Sequence, residues 1–502
     1  MANIRHAVID EHFLFALPGR LQPVATAIRG APPLPQDANS SSALPVNVLL
    51  RYGLGQTGAQ IFRDTPAALL PVFMTTILGI PAWMAGAAIL IPKLWVIICD
   101  PLMGAWSDRS ANKVGRTPFL AVGAILTSLG FYALFSIPDF ASELVTATIV
   151  SIVFLLSMTA FSAFSVPYLG IAALLSTDTH ERTRILVYRM IFVTAGVLLG
   201  VGVAQPVVFW FGGGYAGWHS MGLIFGLICL VSMLGSAIGL HSVLKDHKTS
   251  EEQATPPLKE QFAALARNKP FRLLLIIHFI QTVGQACSYT VVALVFIYLA
   301  GSVELLLPFV IVMSIVGLSV QPLWLSLSKR MGKLPLFVWQ VLAWCLITLS
   351  WLWIDYGSDM FVALPAVGEV SVKELLILLR GGLIGVTNAG FLLLLTSLFT
   401  DSIYQGETGS GAAMEGSYAG IWSASEKLAF ALGPLISGVT LSAFGFQSSR
   451  GGIIEQDAGA LTGIIMSYSV VPMAFFLASM AFVPALNRAL KAADQAGEPV
   501  PA

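Results

Sequence analysis

The sequence predicts an all-α membrane protein whose twelve transmembrane helices form two six-helix halves related by pseudo-symmetry. Three observations carry that expectation. The 502 residues are 56% hydrophobic and only 11% charged, with a mean hydropathy of +0.80, whereas soluble domains run at about a quarter charged. Apolar runs of ~20 residues or more follow one another along the chain, each long enough to cross the hydrocarbon layer. A basic turn punctuated by glycine and proline recurs at matching places in the two halves.

In chain order, residues 1–47 read as a cytoplasmic N-terminal tail. They end in PPLPQDANSSS and show neither the uninterrupted apolar stretch nor the cleavage site of a signal peptide. Residues 48–243 form the first bundle, with spans near 49–78, 83–107, 117–137, 143–174, 184–211 and 219–243. Residues 244–270, containing KDHKTSEEQATPPLKEQFAALARNKP, form the only long charged segment between spans and read as a cytoplasmic central loop. Residues 271–487 form the second bundle, with spans near 271–299, 304–327, 334–354, 373–400, 416–446 and 461–486. Residues 488–502 complete the chain as a cytoplasmic tail.

Lysines and arginines set the orientation. They crowd the loops after the second, fourth, sixth and eighth spans, as Arg109, Lys113 and Arg116, then Arg182 and Arg184, then Lys245 to Lys269, then Lys329, Arg330 and Lys333. The alternate loops carry acids such as Asp139 and Asp355. Both termini are therefore expected in the cytoplasm and the protein in the cell membrane, as a monomer. A net charge of zero excludes a nucleic-acid partner argued from bulk charge. Cys99, Cys229, Cys287 and Cys345 all fall in apolar runs without CxxC spacing, so they read as small hydrophobes, not as a metal site. No GxSxG, metal-ligand spacing or phosphate-binding loop is present, which points away from an enzyme and from a bound cofactor or metal.

The stretch Lys93–Pro118, KLWVIICDPLMGAWSDRSANKVGRTP, organises the rest. Lys93 and Asp100 lie in an apolar helix, and an ionisable group there costs about 2.5–3.5 kcal/mol on insertion scales. Spaced i,i+7, they share one helix face and could serve an ion path or form a structural ion pair. The turn after them has a counterpart in QPLWLSLSKRMGK from Gln321. Two such turns at corresponding positions fit a transporter built from repeats.

D-P-x-x-G-x-x-x-D-R followed by G-R-x-P-F, at Asp100 to Phe119, resembles the loop 2–3 signature of the major facilitator superfamily. Its form is similar to that of the glycoside–pentoside–hexuronide:cation symporters, the relatives of melibiose permease. RYGLGQTG at Arg51, RNKPFRLLL at Arg267 and the stretch Asp401–Pro434 resemble the same branch. The resemblance implies the major facilitator fold, a small-molecule solute, a coupling cation (proton or sodium) and alternating access within the lipid bilayer. It implies cation coupling through Asp100, with Lys427 and Lys93, at family positions, as charge partners; Asp64, which this chain adds in its first span, is a further candidate partner. It also implies solute contacts from Gln60, Ser165, Tyr168 and Arg189. Where the family's sodium-coupled members carry a second carboxylate and an asparagine, this chain has Val96 and Cys99, whose side chains offer no oxygen. Sodium takes several oxygens; a proton needs one titratable group. Gln60 and Ser165 stand where the sugar permeases have aspartates, so a more apolar or amphipathic solute fits better than a classical disaccharide.

Other polar residues in the spans have a packing reading as well as a functional one. Arg63 adjoins Asp64 in mid-span. Arg380 and Asn388, eight apart, share a face and are expected either at the solute or in packing. Asp108, Arg109, Gly115 and Arg116 read as a conformational latch at the membrane edge. Glu426 and Lys427 point to different helix faces, and the resemblance favours Lys427 in the cavity. His278, Gln281 and Gln285 read as a hydrogen-bonded seam between helices. The competing reading is a non-transporting pigment- or lipid-handling assembly factor on the same scaffold, with GIPAW at Gly79–Trp83 as its loose signature.

Overall fold

The computed structural model describes residues 44–175, 179–245, 267–364, 368–405 and 415–497. The expected N-terminal tail and most of the central loop lie outside the described residues, and everything below concerns the compact unit that begins at Pro45. Helix α1 spans Val46–Thr76, α2 Ala82–Val114, α3 Thr117–Leu134 and α4 Glu143–Leu175. Helix α5 runs from Thr179–Val197 through a π-helical turn, Leu198–Val203, into Ala204–Trp210. Helix α6 spans Gly214–Gly239. The second half begins with α7, Lys269–Leu294, continued by a π-helical turn Val295–Ala300. Helix α8 is Leu306–Ser319 with Gln321–Met331, α9 Lys333–Leu349, α10 Val372–Gln405 and α11 Glu415–Ala443. Helix α12 comprises Ala458–Ile465, a π-helical turn Met466–Val470, and Val471–Met480; α13 is Val483–Gly497.

Among the described residues nine helices are long and apolar enough to cross a membrane, and one bent pair makes a tenth. Helices α1 and α11, 31 and 29 residues long, carry Arg63–Asp64 and Glu426–Lys427 in their middles. Together they are consistent with twelve passages. The outward surfaces are apolar: Leu156 is 61%, Val231 69% and Leu346 69% exposed, as suits lipid-facing positions. All four cysteines are free and buried.

Turn chemistry repeats between the halves. Gly115 (φ 78°) ends α2 and Pro118 sits in the first turn of α3; Gly332 (φ 82°) ends α8 and Pro335 sits in the first turn of α9. Glycine adopts the left-handed conformation without steric cost, and proline suits a helix start. The Asn268 side chain caps α7 by accepting from the Phe271 N–H.

Three features depart from the expected spans. The run 304–327 bends by 47° at Ser319–Gln321, just before Pro322, where the ring removes a backbone donor and clashes with the preceding turn. A two-stranded antiparallel hairpin, β1 Phe361–Leu364 and β2 Gly368–Ser371, joins α9 to α10. The chain beyond residue 488 continues as helix through Gly497.

Each half packs around its own aromatic core. Phe73 and Phe135 meet Trp218 in the first half; Trp344 stacks on Phe476 at 3.9 Å in the second. The halves meet along α2–α11, α1–α7 and α5–α8. Opposite the basic turns they are laced by backbone. Ser449 N–H donates to Thr75 O (2.8 Å), Gly451 N–H to Ile77 O (3.0 Å) and Gly452 N–H to Thr76 O (3.0 Å). Gly79, at φ 69°, leaves room for the Arg450 side chain, which would stand 2.6 Å from a Cβ there.

Candidate functional site

Helices α2 and α11 form an antiparallel seam between the halves, and the seam changes character along its length. Near the laced end, Gly438 lies against Ala82 and Gly86 against Pro434, each so close that a Cβ would stand under 2.5 Å from a carbonyl oxygen. Small residues permit such backbone approach inside a membrane. Farther along, long side chains span the gap. Lys93 Nζ donates to the Phe430 carbonyl at 3.0 Å, and Lys427 pairs with Asp100. Toward the basic face, lysine reach thus replaces glycine contact between the two helices.

Asp100 therefore joins the halves through Lys427 Nζ, which donates to Oδ2, while the buried Oδ1 has no partner in the described structure. The Asp100 side chain is 17% exposed and that of Lys427 39%. A charged lysine–carboxylate contact is among the stronger hydrogen bonds. Lys93 does not pair with Asp100; its amine goes to the α11 backbone and lies 5.9 Å from the Phe430 ring centroid.

A second set runs along α1. Arg189 Nε on α5 donates to Gln56 Oε1 (2.9 Å), Gln56 Nε2 to Gln60 Oε1 (3.3 Å) and Gln60 Nε2 to Asp64 Oδ2 (2.6 Å). Arg63 Nε donates to Asp64 Oδ1 at 3.2 Å. Every donor in this chain points toward the Asp64 carboxylate, so the bonds polarise one another. The i,i+4 spacing of Gln56, Gln60 and Asp64 puts them on one helix face.

Arg63 decides where the open space lies. Its side chain is 63% exposed in the middle of α1, yet it interacts electrostatically with Glu426 on α11 and Tyr289 on α7, and Lys93 on α2 feels its charge. Groups on three other helices lie within electrostatic reach of it, which favours exposure toward the space between the halves over exposure to lipid.

The structure thus brings Asp100 to Lys427, and Gln60, Arg63, Asp64 and Arg189 to one another. It does not gather the remaining expected residues with them. Tyr168 is buried, donates to the Tyr52 carbonyl and stacks on Tyr52 and Phe164 at 4.8 and 5.2 Å. Arg380 of α10 is buried beside the residues that follow α9, donating to Ser350 Oγ (3.2 Å) and Trp353 O (3.1 Å). Ser165 and Asn388 are half-buried. Arg109 is exposed, Gly115 is open, and Arg116 starts α3 with Nη1 beside Gly170 of α4. The Asp108 side chain lies outside the described residues. His278 stacks on Trp422 at 3.9 Å and Gln281 donates to Ser479 Oγ at 2.8 Å, a helix-joining seam as read from the sequence.

Three participants were missed. Glu426 lies within electrostatic reach of Arg63 on α1, while Lys427 beside it pairs with Asp100 on α2. Gln56 was signalled by its spacing from Gln60. Tyr289 carries no sequence signal. No group of three or more His, Cys, Asp or Glu side chains among the described residues could hold a metal ion.

A family profile described as MFS/sugar transport protein matches residues 51–485. The chain belongs to this family. The isoprimeverose transporter of Lactiplantibacillus pentosus is 24% identical over 448 residues, covering 88% of each chain. The inner membrane symporter YicJ of Escherichia coli strain K12 is 23% identical over 450 residues, covering 88% of this chain and 91% of that one. Among solved structures, the nucleoside transporter NupG matches with a TM-score of 0.57 at 14% identity, over 89% of this chain and all of that one. A bacterial homologue of the lysosomal transporter Spinster matches with a TM-score of 0.57 at 14% identity, over 91% of this chain and 98% of that one. These two show the fold. The likeness to the glycoside–pentoside–hexuronide:cation symporters read from Asp100–Phe119 is borne out. The protein is a multi-pass membrane transporter of the secondary type, and its relatives do not favour the assembly-factor reading.

Proposed function

We propose that this transporter couples solute movement to a cation, a proton in preference to sodium, by alternating access between the two halves. The observation that carries the reading is the Asp100–Lys427 pair, a titratable contact bridging the halves within the membrane. A proton taken up at the unpartnered Oδ1 neutralises Asp100 and removes its attraction for Lys427. Helices α2 and α11 are then free to re-pack, and loss of the proton restores the pair. Val96 and Cys99 add no side-chain oxygen beside Asp100, which disfavours a sodium cage.

The solute is a small molecule, glycoside-like or more apolar and amphipathic. Arg63 offers its guanidinium to the space between the halves; Gln60 and Arg189 shape the wall, and Ser165 and Asn388, both half-buried, are further candidate contacts. Asp64 holds Arg63 in place. Asp108, Arg109, Gly115 and Arg116 act as the latch at the basic end. The basic face is cytoplasmic by the distribution of lysine and arginine, which puts both termini there. The working unit is a monomer in the cell membrane.

The test is uptake in reconstituted vesicles under an imposed proton gradient, with isoprimeverose and a panel of glycosides, uronates and amphipathic solutes as probes. Asp100→Asn is expected to abolish gradient-driven accumulation while sparing solute exchange. Unchanged accumulation by that variant refutes the coupling role.

A further inference from the structure

Away from the space between the halves, the basic end of the bundle holds a cavity of about 570 Å³ lined by Lys269, Ala485, Arg488, Ala489 and Ala492. Its walls come from the first turn of α7 and from α13, segments more than two hundred residues apart in sequence. Helix α13 is amphipathic. Val483, Leu486 and Ala489 are buried, with Leu486 in one cluster with Leu274 and Phe337, while Arg488 and Lys491 are exposed. Packing of that apolar face fixes Arg488 beside the start of α7 and so beside Lys269.

Among the residues whose side chains are described, the charge here is one-sided. Arg267, Lys269 and Arg272 on one segment and Arg488 and Lys491 on the other are all exposed. None has an ion-pair or hydrogen-bond partner among the described residues. Two of these cations, Lys269 and Arg488, line the cavity itself, and an anion between them would relieve their repulsion. The place is also defined: the membrane-crossing stretches Lys269–Ala300 and Ala458–Ala492 both end here. The cavity therefore opens at the level where hydrocarbon meets headgroups. Its remaining lining is alanine, which suits a glycerol backbone and the first methylenes of an acyl chain but offers a soluble ion no hydrogen bonds.

We infer that this cavity binds the phosphate headgroup of an anionic phospholipid from the adjacent leaflet, held between Lys269 and Arg488. Basic pockets between transmembrane helices near the membrane surface are suited to such headgroups. A lipid also arrives already confined to the leaflet, at an effective concentration that free phosphate does not reach.

The experiment titrates purified full-length protein with phosphatidylglycerol, phosphatidylcholine or inorganic phosphate, reading the melting temperature and the lipid retained in native mass spectrometry. Phosphatidylglycerol alone is expected to raise the melting temperature, with one lipid retained. The Lys269→Gln/Arg488→Gln variant is expected to need roughly thirtyfold more of it, from about a fivefold loss per cation. The charge-keeping Lys269→Arg/Arg488→Lys variant stays within about threefold of the parent. Should the neutral variant not fold, the parent's own response decides: it weakens at high salt if the site is electrostatic. Equal half-saturation in parent and neutral variant, a response to inorganic phosphate equal to that of the lipid, or a salt-independent response overturns the assignment.

Discussion

Replacing either partner of the Asp100–Lys427 pair is expected to give unequal losses of stability that do not add. Asp100 is the more buried, with its side chain 17% exposed against 39% for Lys427, and its Oδ1 already lacks a partner. Lys427→Met therefore leaves a largely buried carboxylate with no counter-charge, and breaking a buried pair in this way costs about 3 kcal/mol. Asp100→Asn leaves a lysine whose amine can still reach water in the open space, so its cost falls near that of a partly exposed pair, about 1 kcal/mol. In the double variant no stranded charge remains. Its loss is expected at about 1–2 kcal/mol, less than that of Lys427→Met alone, which gives a coupling energy of about 2 kcal/mol. Reversible unfolding of the four proteins in mixed micelles measures this cycle. Additivity within about 0.5 kcal/mol would show that the two side chains do not act on each other, and the reasoning fails.

Three further outcomes follow from the geometry. Gly438→Val places a branched side chain 2.2 Å from the Ala82 carbonyl and is expected to cost about 1–3 kcal/mol; cysteine reporters near Ser449 should then label faster from the laced side, and an unchanged rate counts against the seam as a seal. Gly79→Val combines an unfavourable φ with a clash against Arg450 and should loosen the same lacing, read by the same labelling. Arg63→Gln is expected to raise the solute concentration for half-maximal exchange by about tenfold, from loss of one charged hydrogen bond, and to cost about 1–3 kcal/mol of stability, because it leaves the Asp64 carboxylate, 8% exposed, without its cation. A large stability loss without a binding change would make Arg63 a structural residue.

How far the sequence alone reached follows from what hydropathy can and cannot encode. Apolar runs gave the spans because crossing the bilayer demands length and composition, and both are local. The bend before Pro322 was hidden inside one run because composition says nothing of axis direction, though the Gln-Pro pair marked the place. The β1–β2 hairpin was too short for its alternation to stand out from the flanking apolar residues. In the site, Asp100 and Lys427 were legible from a motif, and Gln60–Asp64 from helical spacing. Tyr168 and Arg380 look like solute residues by type, but what decides their use is a neighbour: the Tyr52 carbonyl for one, Ser350 and Trp353 for the other. Glu426 was set aside because adjacent residues face different ways. That rule holds, but α11 has a partner helix on both sides, and sequence order does not reveal it.

The central claim is that a proton on Asp100 governs exchange between the two arrangements of the halves. Counterflow and gradient-driven accumulation, measured side by side on Asp100→Asn in the same vesicles, test it most directly. The account predicts counterflow near the parent rate with accumulation reduced to the equilibrium level. Accumulation that still follows the imposed proton gradient would contradict it.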